Sequence, residues 1–335
     1  MSRLKAIVLA VGVLTGAAGA EVCTTQSQMK AADRDGLAAA AAAMAAKVQA
    51  GDGAGLRAVT VPELGKDFNG VQNVVASTAP KLKDAVLTVE QVYLLDGSEL
   101  KRAADGSAPD AQFFCSLNKS MAEVDFLIPQ LPPGRYGFAI VDSKNAAPWR
   151  LSFLLRQEGG QWALAGFYPR ATLAAGHDGL WYWTEARQMV KRKEQWSAWL
   201  YFQQAEALLR PANFVQSTHL EKLQTERTAA APPTLSEGVT AEAPLVVKGA
   251  DGVEYRFTGL SVDDSLAKEK IDVVAHLKVD AIGDAAIAKK RNSDAMSALV
   301  GAYPELRKSF HGVWIFTDAA GQNPFVTESS MSEIK

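Results

Sequence analysis

Two serine–lysine pairs have the spacing of a known nucleophile. Ser116-Leu-Asn-Lys119 and Ser265-Leu-Ala-Lys268 both fit Ser-x-x-Lys, in which a lysine tunes a serine hydroxyl for acyl transfer. Two occurrences in one chain show how cheap the pattern is, and the Ser-Asp-Asn and Lys-Thr-Gly elements that accompany it in penicillin-binding enzymes are missing. No Gly-x-Ser-x-Gly elbow and no phosphate-cradling glycine loop occurs. The four histidines, His177, His219, His276 and His311, have no second histidine three or four residues away, so no element presents a ready metal pair. His177-Asp178 could relay a proton or hold a metal. Its position before an apolar helical run favours Asp178 as an N-cap, because a carboxylate there accepts the early backbone amides. His276 and His311 read as strand positions at the surface or in the core. No cofactor or metal is expected, and the chemistry leans away from an enzyme without excluding one.

The strongest anomaly is aromatic. Trp149, Trp162, Trp181, Trp183, Trp196 and Trp199 are six of the seven tryptophans and fall within about 50 residues. Trp181, Tyr182, Trp183, Trp196 and Trp199 are therefore the candidate partner-binding residues, since large rigid aromatics dominate interface hot spots. The same side chains could instead glue a helical hairpin onto a sheet, or line a pocket. Lys191-Arg192-Lys193, with Arg187, forms a small basic cluster between them, read as a solvated helix face or as a dock for an acidic partner.

Cys23 and Cys115 are the only cysteines. Their spacing excludes a CxxC redox motif, and two are too few for a structural zinc site. In an oxidising compartment they are expected to pair. That compartment is suggested by residues 1–20: Arg3 and Lys5, an apolar run from Ala6 to Leu14, then Ala18-Gly19-Ala20. This order is that of a secretory signal peptide cut before Glu21. The expected location is periplasmic or extracellular, with no membrane span after cleavage. Loss of Arg3 and Lys5 takes the formal charge from −2 to −4. Such a balance offers no electrostatic footprint for nucleic acid.

The elements that must position these groups form an α+β pattern. Residues 21–170 read as an alanine-dense helix from Asp35 to Ala50, stopped by Gly51-Asp52-Gly53, followed by antiparallel strands. These are placed at Val86–Leu95, Gln112–Leu117, Val124–Ile128, Tyr136–Val141, Trp149–Gln157 and Gln161–Phe167. The last two flank Glu158-Gly159-Gly160, where paired glycines supply the positive φ of a tight hairpin. Residues 171–227 read as a helical hairpin ended by Pro211, with a further helix in Phe214–Glu226. Residues 228–244, with Ala229-Ala230-Ala231-Pro232-Pro233, read as a linker. Residues 245–335 read as a small second α+β domain in the order strand, strand, helix, strand, strand, with the helix at Asp294–Phe310 interrupted at Pro304.

Two resemblances follow. Lys47 to Leu56, a helix end running into AGDGAGL, and the closing WRLSFLLRQEGGQWALAGFYPR, Trp149 to Arg170, resemble the nuclear transport factor 2-like (SnoaL-like) superfamily across about Leu37 to Arg170. This implies a cone-like curved antiparallel sheet around a helix, with a ligand or catalytic pocket inside the cone. Ala186, Ala198, Phe202 and Ala205 stand at the spacing of the small and aromatic positions of one tetratricopeptide repeat, which implies a closely packed helix pair and a protein-binding role. The leading expectation is an exported, non-enzymatic binding or scaffolding protein. The alternative is a small-molecule-binding or enzymatic cone, for which Glu90 and Asp125 are the few acids on readable strands.

Overall fold

The computed structural model describes residues 21–117, 122–235, 239–250, 252–265 and 269–335. The expected signal peptide, Lys119 and Lys268 lie outside them. In the first half, strand β1 (Val22–Thr25) precedes helices α1 (Ala31–Gln49), α2 (Gly53–Arg57), α3 (Pro62–Lys66) and α4 (Asn69–Thr78). Strands β2 (Val86–Gly97), β3 (Ala111–Ser116), β4 (Glu123–Ile128), β5 (Gly134–Lys144), β6 (Trp149–Glu158) and β7 (Gln161–Ala171) follow. Two short strands, β8 (Leu173–Ala174) and β9 (His177–Asp178), lead into helices α5 (Gly179–Lys191) and α6 (Gln195–Leu209). Strand β10 (Val215–Ser217) and helix α7 (Thr218–Ala230) complete this region. The last part holds β11 (Leu245–Lys248), β12 (Glu254–Asp263), β13 (Asp272–Lys278), α8 (Ala285–Ala302), α9 (Leu306–Ser309), β14 (Gly312–Asp318) and β15 (Phe325–Ser330). The fold is α+β.

The first sheet has the antiparallel order β1-β2-β5-β6-β7. Its strands bury side chains on both faces, which explains their near-continuous apolar sequences. On β2, Val92 and Leu94 enter the core beneath α1, while Tyr93 and Leu95 enter a core on the opposite face. On β5, Ala139 and Val141 point to the first and Tyr136 and Phe138 to the second. This is the period-two alternation of a strand with two buried sides. Helix α1 covers the first face with Leu37, Ala41, Met44, Ala45 and Val48, a stripe at helical spacing. The approach is close because β5 offers Gly137 there: a Cβ on that residue would lie 2.3 Å from Leu37 Cδ1. The space between α1 and the sheet is thus packed with side chains.

The second face is covered by a three-stranded sheet, β10-β4-β3. Cys23 on edge strand β1 is bonded to Cys115 on edge strand β3, so the disulfide staples the two sheets together. The Gly159-Gly160 turn has φ of 54° and 86° and closes β6 on β7 from Glu158 to Gln161.

The third sheet runs β11-β12-β13-β14-β15. Here the expected strand order is corrected: three strands precede the helix, because Leu245–Lys248 pairs antiparallel with β12. The pair β13 and β14 is parallel, joined by the α8 crossover. The expected helix at Asp294–Phe310 begins earlier, capped by Asp284, whose Oδ1 accepts from the Ile287 amide. It breaks at Pro304 into α9, as proline requires.

Residues 228–244 do not behave as an unpacked linker throughout. They begin as the last turn of α7, and Ala230 and Leu235 are buried in the core formed by the hairpin and the third sheet. Small apolar side chains can be buried there at little entropic cost, so composition alone is a poor guide to this segment. Opening the disulfide, which spans 92 residues, is expected to cost roughly 2–5 kcal/mol by enlarging the unfolded ensemble. Denaturant unfolding of the oxidised protein, the reduced protein and a Cys23→Ser/Cys115→Ser variant checks this, with the last two expected to coincide.

Candidate functional site

Helix α5 starts where its sequence says it should. Asp178 is extended, and its Oδ1 accepts from the Trp181 amide at 2.8 Å. Capping is therefore what this carboxylate does. The turn before it needs positive φ at Ala175 (48°) and Gly176 (81°), and the Ala175 amide donates to Asp264 Oδ2 at 2.7 Å. His177 lies flat on Trp181, with ring centroids 3.7 Å apart and planes 9° apart.

The hairpin is closed by small residues. Ala186, Ala198 and Ala205 are fully buried and Phe202 fills the space among them. Gly179 is in contact with α6: an added Cβ would lie 3.0 Å from the Ala205 carbonyl oxygen and 2.5 Å from Leu209 Cγ. The aromatic candidates are distributed by this geometry. Tyr182, Trp183 and Trp196 are buried, and Trp181 and Trp199 are partly buried against the same core. Trp149 and Trp162 belong instead to the core under α1. The hairpin packs chiefly on the C-terminal layer. The Trp196 ring meets Tyr303 at 4.0 Å, its amide donates to Glu305 Oε1 at 2.6 Å, and the Tyr201 hydroxyl donates to the Ser309 carbonyl at 3.2 Å. Burial pushes the Tyr201 hydroxyl up to about 12, so it stays a neutral donor.

Two cavities flank the start of α5. The first, about 370 Å³, lies between the first sheet, the small sheet and the hairpin. Its walls are Tyr93, Phe138 and Ile140 from the first sheet and Val124 and Phe126 from β4. Leu180, Trp183, Leu209 and Leu220 come from the helical layer and Val215 from β10, with Ser217 and His219 as polar members. The rings are held in edge-to-face contact, Tyr93 to Phe126 and Phe126 to Phe138, each at 5.1 Å. Trp183 is held rigidly. Its Nε1 donates to Glu226 Oε2 at 2.8 Å, and Arg187 grips both oxygens of Glu226 at 2.6 and 2.7 Å. The same guanidinium lies 4.6 Å over the Trp183 ring. That arginine holds the Glu226 carboxyl below its ordinary value of 4.5. The second cavity, about 300 Å³, is more polar and lies between His177, Trp181, Tyr182 and Tyr201 of the hairpin and residues 269–271 and 308–311 of the C-terminal layer.

The remaining sequence candidates are placed elsewhere. Two members of the basic cluster are paired: Arg187 with Glu226, and Arg192 with Glu194 at 2.9 Å. Glu90 is exposed beside a bulge in β2. Asp125 points away from Val124 and Phe126, off the cavity side of β4. Burial, then Glu123 and Glu221, raise its carboxyl. The Ser265 hydroxyl is bonded to Asp263. His276 pairs with Asp318 at 2.8 Å on the C-terminal sheet. Sequence reasoning missed the cavity wall on β2, β4 and β5, because those residues read as ordinary strand core. It also missed that His311 meets a buried carboxylate, since Asp272 lies 39 residues away.

Replacing Gly179 with alanine is expected to cost about 1–3 kcal/mol, because backbone and not only side chain must move; thermal unfolding reads this directly. Glu226→Gln is expected to cost about 1 kcal/mol at neutral pH. The native carboxyl titrates below its unfolded value, so this contribution is complete above the ordinary carboxylate range and is lost as the pH falls through the depressed value. The stability curves of wild type and variant should therefore converge in acid.

No protein-family model matches this chain, and no curated protein or solved structure is significantly similar to it.

Proposed function

We propose that this chain is an exported, non-enzymatic binding protein, and that its ligand is a small apolar molecule held in the cavity between the first two sheets and the helical hairpin. The observation that carries this reading is the cavity wall. Rigid aromatic and aliphatic side chains from separate elements converge on about 370 Å³ of space, with only a few polar groups at its margin. Natural ligand sites have this size and this balance. The Arg187–Glu226–Trp183 arrangement supports a binding role, since it fixes a large apolar ring at the wall without leaving its indole N–H unsatisfied. Export is supported by the disulfide.

The proposal keeps the nuclear transport factor 2-like reading of the first layer, on the strength of its helix followed by antiparallel strands. It moves the ligand from the α1 side of the sheet, where Leu37, Met44 and Phe153 fill the space, to the opposite face. A second reading keeps the protein partner. Leu180, 59% exposed, stands at the cavity rim, where an apolar side chain of a partner could enter beside Trp183.

Titration of the protein beginning at Glu21 with neutral N-phenyl-1-naphthylamine tests the ligand reading. Saturable one-to-one binding is expected. Val124→Trp, which fills the cavity, and Leu180→Lys, which places a charge at its rim, are each expected to weaken it at least about tenfold, or 1.4 kcal/mol. Unchanged affinity in the exposed-site variant Leu180→Lys, together with unchanged affinity in a folded Val124→Trp protein, contradicts the proposal.

A further inference from the structure

The second cavity differs in chemistry from the first and is separated from it by the opening turn of α5. Trp181 and Tyr182 face one cavity, while Leu180 and Trp183 face the other. Its hairpin side is aromatic. The stacked His177–Trp181 pair forms a flat wall, and Tyr201 stands beside it with ring centroids 6.2 Å from Trp181. Its C-terminal side is cationic and protic. Lys270, Lys308 and His311 line it.

His311 is not a chance surface histidine. Its Nδ1 lies 3.1 Å from Oδ1 of Asp272, a carboxylate only 1% exposed, and Asp272 Oδ2 accepts from Trp314 Nε1 at 3.4 Å. A buried carboxylate accepts, so Nδ1 carries the proton and Nε2 is left to the cavity. The ring is anchored further because its own backbone amide donates to the Ile271 carbonyl and its carbonyl accepts from the Met331 amide, at 2.9 and 2.8 Å. Lys270 forms no ion pair among the described residues. Asp272 is engaged behind His311, Asp264 accepts from the Ala175 amide, and Glu194 is shared between Arg192 and, at 3.5 Å, Lys308. Glu269 also lines the cavity, as its one acidic member, beside Lys270.

We infer that this second cavity binds a small organic carboxylate with a flat apolar body, its oxygens at the Lys270 and Lys308 ammonium groups and its body against Trp181 and Tyr201. The ammonium groups attract the charge, an ionised acceptor strengthens hydrogen bonds from such donors, and the aromatic wall removes apolar area from water. The site is independent of the apolar-ligand reading, because it uses a different cavity.

Benzoate is the probe, followed by calorimetry on the protein beginning at Glu21, with benzyl alcohol as the neutral counterpart and acetate as the carboxylate without a ring. Benzoate is expected to bind one-to-one, and benzyl alcohol and acetate at least about tenfold more weakly. Lys270→Met, at an exposed position that leaves the core untouched, is expected to reduce benzoate affinity at least about fivefold. Val124→Trp in the other cavity should leave benzoate binding unchanged. Benzyl alcohol binding as well as benzoate overturns the inference, and so does an unaltered affinity in Lys270→Met. Loss of benzoate binding in Val124→Trp alone places the ligand in the apolar cavity and equally overturns it.

Discussion

The first turn of α5 lies so close to α6 that a methyl group on Gly179 would meet the Ala205 carbonyl oxygen. The rest of the molecule's middle layer depends on that contact. Close approach lets Ala186, Ala198 and Ala205 bury completely, and it brings Tyr182 and Tyr201 within 5.3 Å of one another. A helix pair this thin can be covered on both sides. The C-terminal layer covers one side, where Trp196 meets Tyr303 and Tyr201 meets Phe310. The other side meets the first two sheets incompletely, and the incomplete contact is the apolar cavity. Protein interiors are close-packed, so a space of this size bounded by well-ordered rings is unlike ordinary core.

The two ends of the chain's first half are held by different means. The Cys23–Cys115 bond ties the edge of one sheet to the edge of the other. Arg187 and Glu226 tie α5 to α7 and orient Trp183 between them. The cavity is therefore bounded by elements whose relative positions are covalently or electrostatically constrained. Such preorganisation lowers the entropy a ligand must lose to be held.

Much of the architecture was readable from local signals. Paired glycines placed the Gly159-Gly160 hairpin, Asp178 placed the start of α5, and Pro304 placed the break between α8 and α9. Runs rich in Val, Leu, Phe and Tyr, bounded by turn residues, located β2 to β7 to within a few positions. What escaped was set by partners far away in the chain. Val22–Thr25 is a strand because β2 supplies its ladder, and Leu245–Lys248 because β12 does. The tryptophan cluster was visible as composition, but its division between two cores depends on which sheet each residue meets. Tyr93, Phe126 and Phe138 carry no mark that separates a cavity wall from a filled core. The Asp272–His311 pair likewise joins residues brought together only by the parallel pairing of β13 and β14.

Occupancy of the apolar cavity by a bound molecule is the central proposal. Native mass spectrometry of the protein isolated from its own source without detergent tests this most directly. The expected result is a species heavier than the polypeptide by one small apolar molecule, released on denaturation and extractable into organic solvent. Protein recovered at the polypeptide mass alone, with a second protein retained through Leu180 and its neighbours, would contradict it and give the hairpin to a partner instead.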